Sequence, residues 1–233
     1  EFQGDKVTIT GTDANHLCRV LRLREGDKIT VCDMQKNIYD GTLTFVSPDT
    51  AEATLSDPRP SPAEPPYKIT LYQGMPKGDK LELVIQKAVE LGVTAVVPVI
   101  TARSIVRVSG KDAEKKQVRL QRIAAEAAGQ SGRGIIPTVE APISWKAALT
   151  RLANENTLLC YEGGGAPIGT LVTPADTAVS LVVGPEGGFD PTEVEAVIAA
   201  GGKIATLGPR ILRCETAPLA ALAVLMEKSG NMA

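Results

Sequence analysis

The sequence lacks the features that mark several common classes of protein. Its 233 residues contain no apolar run near the roughly 18 residues of a membrane span. The amino terminus does not have the charged-then-apolar layout of a secretory signal. We therefore expect a soluble, cytoplasmic protein that does not bind a membrane. Aromatic residues make up only 3% of the chain, which argues against wide stacking platforms for single-stranded nucleic acid.

Ligands for a metal ion are also scarce. The cysteines Cys18, Cys32, Cys160 and Cys214 are far apart, no C-x-x-C pair occurs, and His16 is the single histidine. A structural zinc site needs ligands at close and regular spacing. We therefore predict free, buried thiols and no bound metal.

The charge of the chain is not that of an indiscriminate nucleic-acid-binding protein. The net charge is −2 and the isoelectric point is about 5.6, whereas such proteins usually have a strongly basic surface. Residues 1–66 contain 7 basic and 11 acidic residues, and residues 67–233 contain 18 basic and 16 acidic residues. Any nucleic-acid surface must therefore be a local basic patch.

A proline-rich segment divides the chain. Residues 57–66 read D-P-R-P-S-P-A-E-P-P, and prolines favour stiff, extended backbone without amide donors. We predict a linker here, with one domain in residues 1–66 and a second in residues 67–233. In the first domain, short runs that alternate apolar and polar residues predict a small β-barrel, interrupted by one helix at residues 13–21 that Asp13 caps.

After the linker, strands and helices alternate. Apolar runs predict strands at residues 69–72, 95–100, 157–161 and 179–183. Apolar residues at helical spacing predict helices near residues 79–91, 112–128 and 191–200. This order is typical of an α/β fold with a mainly parallel sheet that is covered on both faces.

Two glycine-containing loops stand out in this second domain. The first, G-P-E-G-G-F-D-P-T-E at residues 184–193, follows a strand and enters a helix that Asp190 can cap. The second, L-G-P-R-I-L-R-C-E-T-A at residues 207–217, precedes an apolar segment that Thr216 can cap. Such loops let backbone approach a ligand closely, although a plain capped turn explains the first one as well. Neither loop fits the G-x-G-x-x-G or the P-loop pattern of nucleotide-binding folds.

Together the two loops resemble the small-subunit ribosomal RNA (uridine-N3) methyltransferase family, RsmE. The resemblance extends over nearly the whole chain, and the other matching segments are H-L-C-R-V-L-R at residues 16–22, K-G-D-K at 77–80, Q-K-A-V-E-L-G-V at 86–93, A-R-S at 102–104 and Q-S-G-R at 130–133. Two positions depart from the family pattern. Gly129 replaces an acid, and Cys214 replaces a small or hydroxyl residue.

The resemblance implies a fold, a reaction and partners. Residues 1–66 are then a PUA-like, RNA-binding β-barrel domain, and residues 67–233 are a SPOUT methyltransferase domain whose mainly parallel sheet forms a trefoil knot. S-adenosyl-L-methionine (SAM) is the implied methyl donor, bound in the knot. The implied activity is methylation of N3 of a specific uridine in 16S ribosomal RNA, acting on that RNA or on the small ribosomal subunit, by a homodimer.

The resemblance also assigns site residues. Residues expected to hold the cofactor are Gly184, Glu186, Gly187, Leu207, Gly208, Ile211, Leu212 and Thr216. Arg213 is the candidate for stabilising negative charge on the uracil, and Glu186 or Glu215 for accepting the N3 proton. Residues expected to contact RNA are Arg19, Arg22, Lys77, Arg103 and Arg133. The alternative for Arg213 is a surface arginine paired with Glu215 or Glu186.

Three alternatives compete with this reading. A related SPOUT enzyme could act on a ribose 2′-oxygen, and an RNA-binding assembly factor could keep the fold without catalysis. Cys214 could attack carbon 6 of uracil and so lead to 5-methyluridine, which would be a different enzyme. For the assembly, residues 219–226 form an apolar segment with almost no polar face, so we expect a helix buried on nearly all sides and covered in part by a second subunit.

Overall fold

The chain folds into two compact units. A computed structural model describes residues 1–106 and 110–232, and the units are Glu1–Pro62 and Ala63–Ala233. The boundary thus falls after Pro62, whereas the sequence predicted it after Pro66, because Glu64 is held inside the second unit. In the described part of the chain, no helix is both long enough and apolar enough to cross a membrane.

The first unit is an antiparallel sheet with the strand order β1-β2-β5-β4-β3, and β6 pairs with β4. The strands are β1 (Phe2–Gln3), β2 (Lys6–Thr10), β3 (Lys28–Cys32), β4 (Asn37–Val46), β5 (Thr50–Leu55) and β6 (Arg59–Pro60). Their inward side chains form a small core of Val7, Ala14, Leu43, Ala51, Ala53 and Leu55. The alternating pattern of the sequence therefore predicted the β-strand character of this unit correctly.

The helix of the first unit differs from its prediction. It begins as α1 (Thr12–Asn15) and continues as a π-helix, His16–Val20. Asp13 lies inside the first turn and is not the cap, because the residue at the cap position is Gly11 and no side chain makes a capping hydrogen bond there. Arg22 follows in the left-handed region, at φ 55°. Both features are unusual and occur often at functional sites.

The second unit has the predicted α/β fold. The strands are β7 (Lys68–Gly74), β8 (Ala95–Ile100), β9 (Thr138–Val139), β10 (Ile143–Ser144), β11 (Thr157–Cys160), β12 (Ala166–Pro167), β13 (Ala178–Val183) and β14 (Lys203–Thr206). The helices are α2 (Lys80–Glu90), α3 (Lys111–Gln130), α4 (Trp145–Leu152), α5 (Pro191–Ala199) and α6 (Ala217–Lys228). The strand order is β10-β8-β7-β13-β11-β14-β12, β9 lies beside β8, and all pairs are parallel.

Helices cover both faces of this sheet. On β7, Ile69 and Leu71 point to one face and pack with α2, α3 and α6, while Tyr72 points to the other and packs with α4 and α5. This alternation is expected of a strand, whose successive side chains leave opposite faces. The strands are apolar on both faces because both are buried.

Helix α6 is buried on one side by its own domain. Ala221, Leu222, Leu225 and Met226 are buried in the core, but Val224 is 37% exposed, and Ala220 and Ala223 beside it are only partly covered. The chain's own domain therefore covers one side of this helix and leaves a stripe of small apolar residues accessible.

A buried ion pair joins the first residues of the second unit to the segment that follows α3. Arg133 donates from Nε to Oε1 of Glu64 at 2.8 Å and from Nη2 to Oε2 at 3.1 Å, and the two side chains are only 2% and 6% exposed. Nη1 of Arg133 donates to the carbonyl of Val89, within the last turn of α2, and to the carbonyl of Val93, just beyond its end. The prediction that Arg133 contacts RNA is therefore wrong, because its guanidinium is buried and holds the fold together.

We expect Arg133→Met to lower the free energy of unfolding by about 3–5 kcal/mol, because it leaves the Glu64 carboxylate buried without its partner. Urea unfolding measures this change. Arg122→Met is the matched control, since Arg122 and Glu126 form an exposed pair with 78% and 67% of their side-chain surface accessible. Such a pair contributes less than about 1 kcal/mol. Equal losses in the two variants would contradict the structural role of Arg133.

Candidate active site

The site lies at the carboxyl edge of the parallel sheet. Three neighbouring strands, β13, β11 and β14, each end in a loop there, and these loops surround a cleft of about 970 Å³. This volume suits a small molecule, and the edge of the sheet is where α/β folds commonly bind ligands. The lining residues are Cys160 to Gly164, Val183 to Phe189, Thr206 to Cys214 and Ala217. The sequence predicted two of these loops but not the loop after β11.

The first predicted loop is seated against the end of β7. A Cβ on Gly74 would lie 2.5 Å from Cδ of Pro185, so only glycine permits this approach. Gln73 is fully buried, and its Nε2 donates to the carbonyl of Gly184 at 3.3 Å. Backbone contact with β7 therefore fixes where the loop begins.

The far end of the same loop is fixed by a capping box. Asp190 accepts a hydrogen bond from the amide of Thr192, and Glu193 accepts one from the amide of Asp190, so the predicted cap is confirmed. Glu193 is only 5% exposed, and its second oxygen accepts from the amide of Ala102 at 2.9 Å. One carboxylate thus ties the start of α5 to the turn after β8.

Arg103, in that turn, lies directly beside the loop. Its Nη1 donates to the carbonyl of Gly187 at 3.1 Å, and its Nη2 lies 3.7 Å from Oδ2 of Asp190. Its side chain is nevertheless 44% exposed. The geometry leaves Arg103 accessible to a second ligand while it is anchored to the cleft wall.

The structure gathers most of the predicted cofactor residues around one cleft. The predicted residues that line it are Gly184, Glu186, Gly187, Leu207, Gly208, Ile211 and Leu212. Thr216 is not among the lining residues. It is exposed at the amino end of α6, where its side chain makes no capping hydrogen bond. The prediction for Thr216 is therefore not supported, because the cleft ends before it and only Ala217 of α6 contributes to the wall.

Two of the three candidate catalytic residues line the cleft, and the third does not. Arg213 lines the cleft and is exposed, and within residues 1–106 and 110–232 no carboxylate forms a salt bridge with it. Glu186 also lines the cleft, whereas Glu215 is not among the lining residues and accepts a hydrogen bond from Sγ of the lining residue Cys214. The alternative in which Arg213 pairs with a glutamate is wrong, because Lys80 occupies that place.

Lys80 connects the two predicted loops. It is the first residue of α2, and its Nζ lies 3.0 Å from Oε1 of Glu186, 3.5 Å from Oε2 of Glu215 and 4.0 Å from Sγ of Cys214. The backbone amide of Lys77 also donates to Oε1 of Glu186, at 3.1 Å. The sequence placed Lys80 among the basic residues that could face RNA but did not predict its contact with the two glutamates, which lie more than 100 residues away in sequence.

These contacts fix the charges of the cluster. Burial acts to raise the pKa of Glu186, but hydrogen bonds from Lys80 and from backbone amides outweigh it and lower the pKa. The hydrogen bond from Cys214, with help from Lys80, lowers the pKa of Glu215. The bond to Glu186 raises the pKa of Lys80. At neutral pH the cluster therefore holds two carboxylates around one ammonium.

The thiol of Cys214, unlike the two carboxyl groups, has a raised pKa. Burial, the hydrogen bond to Glu215 and the charge of Glu186 raise the pKa of its thiol to about 12. A nucleophilic cysteine needs a lowered pKa, because the thiolate is the reactive form. The surroundings of Cys214 therefore disfavour the covalent route to 5-methyluridine.

The remaining RNA candidates are accessible. Arg19 and Arg22 are exposed at the end of the π-helix and just after it, in the first unit. Lys77 is exposed in the second unit, next to the loop that carries Glu186. Whether these side chains contact RNA stays a prediction.

Comparison with known proteins assigns both units. The family model for an RNA methyltransferase PUA domain matches residues 9–56, and the model for an RNA methyltransferase domain matches residues 63–226. The amino-terminal unit is therefore PUA-like, as predicted.

Individual relatives agree. The chain is 38% identical over 226 residues to ribosomal RNA small subunit methyltransferase E of Bacillus subtilis, covering 94% of this chain and 88% of the relative. A crystal structure of ribosomal RNA small subunit methyltransferase E from Neisseria gonorrhoeae bound to S-adenosyl methionine is 35% identical, with a TM-score of 0.86 over 97% of this chain and 94% of that one. The chain belongs to the ribosomal RNA small subunit methyltransferase E family.

Proposed function

We propose that this protein transfers the methyl group of SAM to N3 of a uridine in 16S ribosomal RNA. The observation that carries the proposal is that both family loops line one cleft, with Arg213, which forms no ion pair among the described residues, on its wall. Membership of the family supports SAM as the cofactor, since a relative 35% identical has been crystallised with it.

The residues of the cleft fit SAM. Glycines 184, 187 and 208 allow backbone to approach a ligand, and Gly208 adopts φ 100°, which other residues rarely do. Leu207, Ile211 and Leu212 offer apolar contact for the adenine, and Ile211 is 86% exposed. SAM supplies the methyl group on a sulfonium. The trefoil knot implied by the family stays a prediction.

Methylation of N3 requires the uracil to lose its N3 proton. Glu186 and Glu215 are ionised, because Lys80 and neighbouring donors lower their pKa, so either can accept a proton directly or through water. Glu186 is the better placed of the two, since it lines the cleft. Arg213 stabilises the negative charge that spreads onto the uracil carbonyls.

RNA binding requires cations outside the cofactor cleft. Arg19 and Arg22 on the PUA-like unit, and Lys77 and Arg103 beside the cleft, are exposed and can reach phosphates. The proposed partner is 16S ribosomal RNA or the small ribosomal subunit, and the proposed location is therefore the cytoplasm.

The proposed assembly is a homodimer. The accessible stripe of Ala220, Ala223 and Val224 on α6 is apolar and narrow, and small side chains let two helices approach closely. A two-fold dimer would bury this stripe against its own copy.

Nucleoside mass spectrometry after reaction with 16S ribosomal RNA tests the function. We expect N3-methyluridine from the wild type and from Cys214→Ser, which keeps most of the activity because the thiol is protonated and unreactive. Arg213→Ala should lower the rate by about 100-fold, since it removes a stabilising charge. A 2′-O-methylated product would indicate an enzyme that acts on the ribose. Recovery of 5-methyluridine, or of an RNA adduct at Cys214, would indicate the covalent route. RNA binding without any methylated product would indicate an assembly factor.

We expect Gly187→Val to abolish SAM binding. A Cβ at this position already lies 3.2 Å from Cβ of Arg103, so the larger side chain must displace the loop or fill the cleft. Titration calorimetry measures the affinity. Gly129→Ala is the control, because no atom lies within 4 Å of its Cβ position in α3. Wild-type affinity in folded Gly187→Val would remove this loop from the site.

We expect Val224→Asp to convert a wild-type dimer into a monomer, because it places a charge in the apolar stripe. Light scattering at micromolar concentration gives the mass. Ile198→Asp is the control, since Ile198 is 54% exposed but lies on α5, at the other face of the sheet. A monomeric wild type would contradict the proposed homodimer.

A further inference from the structure

The third loop of the cleft, residues 161–165 with the sequence Y-E-G-G-G, has no assigned role. It connects β11 to β12 and brings Glu162 to the wall of the cleft. The sequence pattern of the family loops does not include it.

The glycines of this loop are required by its path. A Cβ on Gly163 would overlap the ring of Tyr161, and a Cβ on Gly165 would lie 2.6 Å from the carbonyl oxygen of Ile204. Gly164 and Gly165 adopt φ 123° and 131°, a region that other residues rarely enter. These glycines therefore restrict the loop to one backbone path, and that path places Glu162 on the wall of the cleft.

The Glu162 carboxylate meets the first family loop there. A Cβ on Gly188, which has φ 66°, would lie 2.5 Å from Oε1 of Glu162, so the missing side chain makes room for the carboxylate. In the described part of the chain no hydrogen bond or ion pair engages Glu162. Glu186, the other glutamate on the wall, is held by Lys80. Glu162 thus faces the cleft with its acceptors available for a ligand.

A carboxylate in this place suits a sugar. Its two oxygens can accept hydrogen bonds from neighbouring hydroxyls, as acidic residues that follow strands do for the ribose of dinucleotides. We propose that Glu162 binds the ribose hydroxyls of the cofactor and so determines its specificity for a ribose. This inference rests on the proposed function, because it takes SAM as the occupant of the cleft.

Calorimetry with two probes tests the role of Glu162. The probes are S-adenosylhomocysteine, which has the ribose but does not react, and its 2′-deoxyribose analogue. We expect the wild type to prefer the ribose probe by about ten- to a hundredfold, the range for a hydrogen bond to a charged group. Glu162→Gln should lose that preference by weakening the ribose probe alone. Glu195→Gln is the matched control, since Glu195 is exposed on α5 and does not line the cleft.

The outcomes separate this inference from the proposed function. If the wild type binds neither probe nor SAM, the cofactor site itself is wrong. If the wild type binds S-adenosylhomocysteine and Glu162→Gln keeps the ribose preference, Glu162 does not read the ribose. Equal weakening of both probes would mean that the carboxylate acts on another part of the cofactor, such as its ammonium group, and would overturn the inference while the site stands.

Discussion

Parallel pairing of the strands is the constraint on which the site depends. Because all strands of the second unit run the same way, the loops after β11, β13 and β14 emerge together at one edge. Close approach of these loops to each other and to β7 leaves no space for side chains at Gly74 and Gly188. Glycine is therefore required at these positions because the parallel sheet brings the loops so close together. They also expose the backbone groups that a ligand in the cleft can use.

Charge at the cleft is organised around one cation. Glu186 comes from the loop after β13 and Glu215 from the loop after β14, and two carboxylates this close would repel each other without Lys80 between them. The same contact binds both loops to the first turn of α2. Lys80 therefore holds the two loops together and, with the hydrogen bonds from Cys214 and from backbone amides, lowers the pKa of both carboxyl groups. Arg213, which no carboxylate neutralises in the described residues, presents its guanidinium at the wall of the cleft.

Features of the fold that depend on neighbouring residues could be predicted from the sequence. Features that depend on contacts between distant residues could not. The strands β8 and β13 and the cap at Asp190 depend on neighbouring residues, so they could be predicted from the sequence. The burial of Arg133 depends on Glu64, 69 residues earlier, and an isolated arginine resembles an RNA contact. Lys80 belongs to the site only because the sheet brings distant loops to α2. The loop with Glu162 escaped prediction because its three glycines match no binding motif.

The turn after β8 contacts the loop that follows β13 and carries an arginine proposed to contact RNA. Arg103, the arginine proposed to contact RNA, is hydrogen-bonded to the carbonyl of Gly187 on the cofactor loop. Its neighbour Ala102 is held by Glu193, which also fixes the loop's exit into α5. Movement of Arg103 toward a phosphate would therefore remove a contact from the cleft wall. Conversely, a ligand that holds the loop in place also holds Arg103. If Arg103 contacts RNA as proposed, the affinities for RNA and for the cofactor would be linked through this side chain.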